Sequence, residues 1–372
     1  MIPLNHKVND YLFIFVFMDG KVGKVLRYIA FLLLAAVLLY FAFREVKWAE
    51  FWSALKACRW SCVALSMLFG VLAFFLRGLR WRQLLLPIDR TTSRLTCFNA
   101  VNISYIVNLA LPRVGEFVRC GFVTAHSQKD PDAPADQNRR LASYDKVLGT
   151  AALERSVDVL AMGLFLGLFL IFTWSRFGGF FSERIFGSAA EGFSVGKIAV
   201  LGALGVCAVA FILLAVRLAD KVRIFGKVRD FCLGLWQGFA SCMKMKDAWW
   251  FFLLTIMIWG CYWMMSASIL WAVQGMATDS IDPGLAASVA GLRELGMTDA
   301  LFLMLAGSLS SIVPVPGGFG AFHFIVAGAI SSVYGVPFEF GMIFATLSHE
   351  SQTVNQIICG GLSYLCESLR NK

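Results

Sequence analysis

Between Asn108 and Arg119 the chain reads N-L-A-L-P-R-V-G-E-F-V-R, two arginines and a glutamate set in an otherwise apolar region. Pro112 suits a first helical turn, where its missing N–H is not needed. Helical spacing then places Arg113, Glu116 and Arg119 three residues apart on one face. Where such a stretch dips into a membrane, free backbone N–H groups and the positive end of the helix dipole meet two arginines. That combination suits an anion, most simply a phosphate gripped by arginine's planar donor fork. Glu116 would orient an arginine or accept from an amine or hydroxyl, and Asn108, at the head of the stretch, is counted with the binding set. The bland alternative is an interfacial helix whose charges pair with each other or snorkel.

A second stretch, Pro314-Val-Pro316-Gly317-Gly318-Phe-Gly320-Ala-Phe-His323, is the counterpart. Its prolines remove N–H donors and its glycines let backbone approach a ligand closely. Irregular backbone at membrane depth is tolerated only inside protein or beside a water-filled cavity. Pro316, Gly317, Gly318 and His323 are therefore candidate ligand contacts. A kinked packing motif of small residues is the competing reading, and for His323 a satisfied buried histidine. Two polar clusters complete the set. Glu154, Arg155 and Asp158 form an internally neutralised group that either clamps the first stretch or touches ligand. His349 and Glu350, with Gln352 and Asn355, lie deep in an apolar segment, where charge is functional by default. They would either titrate in a proton-coupled cycle or make hydrogen-bonded bundle contacts. Arg293 and Glu294 read as external surface charges.

What must position these residues is a membrane bundle. Of 372 residues 58% are hydrophobic and 15% charged, and 34 are Phe. Mean hydropathy is +0.70. A soluble domain carries about 25% charged residues, so a soluble enzyme is excluded. Six segments read as full spans: Val25–Phe43, Trp60–Leu76, Val157–Trp174, Ile198–Val216, Ala248–Val273 and Gly341–Leu365. Leu95–Val123, broken at Pro112 and Gly115, and Ala300–Tyr334, broken at its Pro and Gly residues, are apolar but interrupted. The residues from Arg44 to Trp60 carry Trp48, Phe51, Trp52 and Leu55 at i, i+3, i+4, i+7, an amphipathic helix for the outer interface.

Basic residues set the orientation. Arg77, Arg80, Arg82, Arg90 and Arg94 follow the second span, and a Lys/Arg-rich link from Arg217 to Lys246 joins the fourth and fifth, so both loops are expected in the cytoplasm. The first interrupted region then enters and leaves from inside, and the second, beyond Asp279 and Asp282, from outside. The expected fold is all-α: six full spans plus two broken re-entrant helical hairpins arranged as an inverted repeat. Residues 1–24 form a cytoplasmic segment, 25–174 the first repeat with its hairpin at 95–123, and 175–197 an external loop. Residues 198–366 form the second repeat with its hairpin at 300–334, and 367–372 a cytoplasmic tail. In secondary transporters, interrupted segments at matching positions mark the substrate site. The eight-residue apolar run Tyr11–Met18 is too short to span, and Met18 is read as the true start.

Other chemistries find little support. The formal charge of +9 is carried by short loops between apolar runs, so no nucleic-acid partner is expected. Ten Cys include no C-x-x-C pair, and most lie in apolar stretches as packing residues. His6, His126, His323 and His349 are too dispersed in sequence for a ligand set, so no metal or cofactor is expected. Nucleotide loops, H-E-x-x-H motifs and serine nucleophile elbows are missing.

Arg77-Gly-Leu-Arg80-Trp81-Arg82, the P-R-x-G-E core at Pro112–Glu116, Glu154-Arg155-Ser-Val-Asp158 and Pro314–Gly320 occur in an order that resembles the lysylphosphatidylglycerol synthase transmembrane-region family, or flippase-like domain proteins. The family often carries P-A-R-x-G-E, whereas here Pro112 is followed directly by Arg113. The resemblance implies a multi-span protein that moves a lipid between leaflets. With seven residues after the last expected span, it implies the stand-alone form without an aminoacyl-transferase domain. The leading expectation is a flippase of the cytoplasmic membrane for an anionic phospholipid or polyprenyl-phosphate-linked lipid, with both termini inside. An integral-membrane enzyme that modifies lipid headgroups and a proton-coupled carrier of a small anion are the alternatives. Membrane lipids are the expected partners, and a homo-oligomer or a separate lipid-synthesising enzyme fits the same reading.

Overall fold

A computed structural model of the protein describes residues 21–44, 46–129, 140–185, 247–277, 281 and 283–370. The expectations for Tyr11–Met18, Ile198–Val216, the basic link from Arg217 to Lys246, and Asp279 and Asp282 lie outside the described residues. So do residues 130–139 and most of the expected external loop.

The described elements are helices: α1 (Lys21–Phe43), α2 (Trp48–Ala57), α3 (Trp60–Leu85), α4 (Arg94–Ala110), α5 (Gly115–His126), α6 (Tyr144–Ile185), α7 (Ala248–Gln274), α8 (Pro283–Leu292), α9 (Met297–Leu309), α10 (Ala321–Tyr334) and α11 (Phe338–Arg370). Among the described residues, four stretches are long and apolar enough to cross a bilayer: Trp60–Leu85, Tyr144–Thr173, Ala248–Gln274 and Pro316–Tyr334. Two of them contain expected spans, and Tyr144–Thr173 takes in all but the last residue of a third. Within α1 the apolar helix is Leu32–Phe43. The expected last span sits inside α11, whose 33 residues mix apolar positions with buried Ser351, Thr353, Asn355 and Glu367. Such a helix must turn its polar stripe toward protein.

Two elements outrun their expected ends. α6 stays helical through Ile185, beyond the predicted boundary at Trp174. No proline intervenes, and Gly178-Gly179 costs only about 1 kcal/mol per residue. α3 continues nine residues past Leu76 to Leu85, and this corrects the placing of Arg77 and Arg80 in a cytoplasmic loop. Both are buried, as are Trp81, Leu84 and Leu85. Positions 77, 80, 81, 84 and 85 follow i, i+3, i+4, i+7, i+8, the stripe of a helix packed on one side. The chain turns only at Pro87. There Asp89 accepts from the Ser127 hydroxyl at 2.5 Å and from the backbone N–H of Thr91 at 2.9 Å. Burial pushes its carboxyl up, but the hydrogen bonds from Ser127, Thr91 and Gln128 outweigh this and hold it below the ordinary carboxylate range.

The contacts resolve two compact units, one of residues 1–79, 92–126 and 258–372, the other of residues 80–91 and 127–257. In the first, each interrupted region is a helical hairpin. α4 packs on α5, and α9 on α10. The mouth of the first hairpin closes around Glu367, which accepts from Asn99 of α4 at 2.7 Å and lies 3.1 Å from His126 of α5. The mouth of the second closes where Tyr334, ending α10, donates to Asp299 in the first turn of α9 at 3.0 Å. α11 runs past both. A Cβ on Gly341 would meet the Ala327 backbone at 2.8 Å, and one on Gly360 would meet Ile106 at 2.8 Å and the Asn102 carbonyl at 3.0 Å. These close approaches fix one hairpin along each half of α11.

Candidate functional site

The break in the first hairpin follows from its proline. Leu111, preceding Pro112, is extended at φ −124°, ψ 106°, as a residue before proline must be. Arg113 then takes φ +63°, an uncommon left-handed conformation for a residue with a side chain. The expectation that Pro112 opens the helix and that Arg113, Glu116 and Arg119 share one helical face is corrected here. α5 begins at Gly115, so only Glu116 and Arg119 share its face, while Arg113 projects from the turn before it. Asn108 serves the backbone: its Oδ1 accepts from the Gly115 N–H at 2.8 Å and satisfies a first-turn donor. A Cβ at Gly115 would collide with the Ser104 carbonyl, so only glycine lets the two helices close at this point.

The second break is dictated in the same way, twice. Val313 and Val315 each precede a proline and are extended. Gly317, Gly318 and Gly320 take φ of +58°, +79° and +78°, and a Cβ on Gly320 would come within 2.8 Å of Leu38 and the Leu39 nitrogen in α1. Glycine is required there on both counts.

The two breaks meet. Arg113 Nη2 donates to the Ser311 carbonyl at 3.2 Å, and a Cβ on Gly317 would lie 3.2 Å from Leu109 of α4. α11 supplies the third side. His349 Nε2 lies 2.9 Å from the Gly317 carbonyl and His349 Nδ1 lies 3.0 Å from Glu350 Oε1. His323, 1% exposed, brings its Nε2 to 3.5 Å from the same carboxylate oxygen. Histidines read as dispersed in sequence thus have ring centroids 5.0 Å apart. His323 and Glu350 lie at the wall of an apolar cavity of about 640 Å³. Trp48, Phe51, Trp52 and Leu55 of α2, the stripe expected to lie at an interface, line it, with Phe43, Phe319, His323 and Glu350 among the other wall residues.

The remaining candidates have contacts of their own. Arg119 is 1% exposed and 2.6 Å from Glu116, an ion pair beneath the surface of α5. Gln352 and Asn355 make bundle contacts to α3: the Asn355 amide donates to the Met67 carbonyl at 2.8 Å, and that of Gln352 reaches the Ser66 hydroxyl at 3.3 Å. In the second unit Glu154 and Asp158 converge on Arg80, whose Nη2 donates to them at 3.0 and 2.6 Å. Arg80 Nη1 reaches Thr255 at 3.2 Å, and the guanidinium lies over the Phe251 ring at 5.6 Å. Arg155 is a flanking partner at 3.5 Å from Asp158. This is a clamp of α6 on α3 and α7, and Arg80 is the residue that sequence reasoning left out of it. Its signal was the stripe described above.

With this geometry, the sequence comparisons take on meaning. The family described as Lysylphosphatidylglycerol synthase TM region matches residues 28–360. The chain belongs to that family. No curated protein and no solved structure matches it significantly. The family's region covers both hairpins, α11 as far as Gly360 and the Arg80 clamp, so every candidate residue lies inside the matched part. Family membership and the bilayer-length apolar helices make this a membrane protein tied to membrane-lipid chemistry.

Proposed function

We propose that the protein is a translocase that moves an anionic phospholipid or polyprenyl-phosphate-linked lipid between the leaflets of the cytoplasmic membrane. The observation that carries this reading is the meeting of two backbone breaks at Arg113, together with an apolar cavity that the second break reaches through Phe319 and that His323 and Glu350 also line. A lipid needs both environments at once: a polar cradle for its headgroup and an apolar surface for its chains. Arg113, held in a turn at the junction, offers the planar fork that suits phosphate. Arg119, buried and paired with Glu116, instead fixes the helix behind it. Pro316, Gly317 and Gly318 form the opposite edge of the cradle, and His323, His349 and Glu350 its floor. Glu154, Arg155 and Asp158 hold their own unit together and take no headgroup.

In the same reading the two hairpins are re-entrant and belong to inverted repeats, residues 25–174 and 198–366, within a six-span bundle whose termini both lie in the cytoplasm. Half-helices at matching positions of two repeats are the recurrent way to build a mid-membrane site. Lipid partners suffice for such an activity.

The test is scrambling of fluorescent anionic phospholipid in liposomes. Wild type should exceed protein-free vesicles, and Arg113→Ala should lose about tenfold or more, since a charge-assisted hydrogen bond is worth about 1.5–3 kcal/mol. Equal rates for wild type and Arg113→Ala, at equal folding, end the proposal. The histidine–glutamate floor is also what acid–base chemistry on a headgroup would need. A changed lipid mass, with leaflet distribution unaltered, would transfer the assignment to an enzyme.

A further inference from the structure

The floor of the cradle has a property that lipid binding does not require. The Gly317 carbonyl can only accept, so His349 Nε2, 2.9 Å away, carries a proton. In the neutral ring Nδ1 is then a lone pair, and it points at a carboxylate oxygen 3.0 Å away. Two lone pairs at that distance repel unless a positive charge lies between them. His323 Nε2 reaches toward the same oxygen from another helix at 3.5 Å, too long for a hydrogen bond and suited to a shared ligand.

We propose that His323, His349 and Glu350 bind a transition-metal ion, with Zn²⁺ the best match. One donor atom from each residue lies within 4.8 Å of the others. A tetrahedral ion with bonds of about 2.0–2.1 Å sets its ligands about 3.4 Å apart, close to the 3.0 and 3.5 Å found here. Two imidazoles and one carboxylate suit zinc in ligand type and number. The bond from His349 Nε2 to a backbone carbonyl is the outer contact that fixes a ligating histidine's tautomer and ring plane. Three protein ligands leave a fourth position. Glu350 is 40% exposed and, with His323, lines the cavity, so that position opens toward it. A water, or a phosphate oxygen entering the cavity, would complete the tetrahedron. The site depends on the second break: without the left-handed glycines neither the Gly317 carbonyl nor α10's first turn would reach His349.

The experiment uses the full chain, purified in detergent, stripped with chelator, and dialysed against Zn²⁺. Metal content by mass spectrometry should approach one zinc per chain. Co²⁺ in its place should give the visible absorption of a tetrahedral ion, a readout that needs no variant. Glu350→Gln and His323→Gln, checked for folding by thermal unfolding, should each weaken Zn²⁺ binding more than about tenfold, at least the loss typical of an outer-shell change. Substoichiometric zinc in wild type, octahedral cobalt spectra, or undiminished affinity in the double variant would each overturn the site. The site is independent of translocation: zinc binding without scrambling would leave it standing and remove the translocase, and scrambling without zinc would do the reverse.

Discussion

Arg80 carries a sharp energetic consequence for a single residue. It is 0% exposed, between two carboxylates, a threonine and an aromatic ring. Removing one partner of a buried ion pair strands the others and costs about 3–5 kcal/mol, whereas replacing the whole group with neutral isosteres is often close to neutral. Arg80→Ala should therefore lower the detergent-phase thermal midpoint steeply. The triple change Arg80→Met, Glu154→Gln, Asp158→Asn should recover most of it. If Arg80→Ala melts like wild type, the cluster is not a clamp, and its charges regain a claim on ligand. The positive-inside reading assigned this arginine to a loop because basic residues after an apolar run usually mark one. Only the continued helical stripe through Trp81 and Leu85 contradicted it. The Glu154-Arg155-Ser-Val-Asp158 cluster, by contrast, announced its own neutralisation in the sequence, and lacked only its central cation.

At the scale of elements, the breaks were the most legible feature. Prolines force the preceding residue to extend and glycines accept positive φ, so Leu111, Val313, Val315 and Gly317 to Gly320 behave as local chemistry requires. What local chemistry could not reveal was partnership. His323 and His349 stand in different helices, and nothing in either segment announces the turn that brings them together. Arg113 was misplaced onto a helical face because three-residue spacing is visible in sequence and a left-handed turn at a non-glycine is not. The break's geometry makes its own prediction. Gly320→Ala would combine a positive φ with a Cβ 2.8 Å from Leu38 and Leu39. Strain alone costs about 1–3 kcal/mol, and α1 must shift as well. Gly328→Ala, where nothing lies within 4 Å, should be neutral or gain up to about 1 kcal/mol. Thermal unfolding of the two variants should separate by well over their measurement error; coincident curves would mean that α1 does not seat on this turn.

Across the first unit, the order of contacts along α11 sets a direction. Glu367 meets the mouth of the first hairpin, Gly360 its middle, His349 the tip of the second, and Gly341 a point nearer the second mouth. The hairpins thus approach along one helix from opposite ends, and their tips touch at Arg113 and Ser311. A headgroup crossing the bilayer beside α11 would have to pass between those tips, which cannot stay joined throughout. The expected outcome is specific. In a chain cleared of its native cysteines, cysteines at Val114 and Ser311, bridged by a short bifunctional thiol reagent, should abolish scrambling. A reductively cleavable bridge should restore it on reduction, and either single-cysteine chain treated alike should keep its activity. Arg113 is left in place, so the unbridged double-cysteine chain supplies the baseline. Scrambling that persists with the tips covalently tied would mean that lipid travels by another route, and the junction would then be a hinge or a strut rather than the gate.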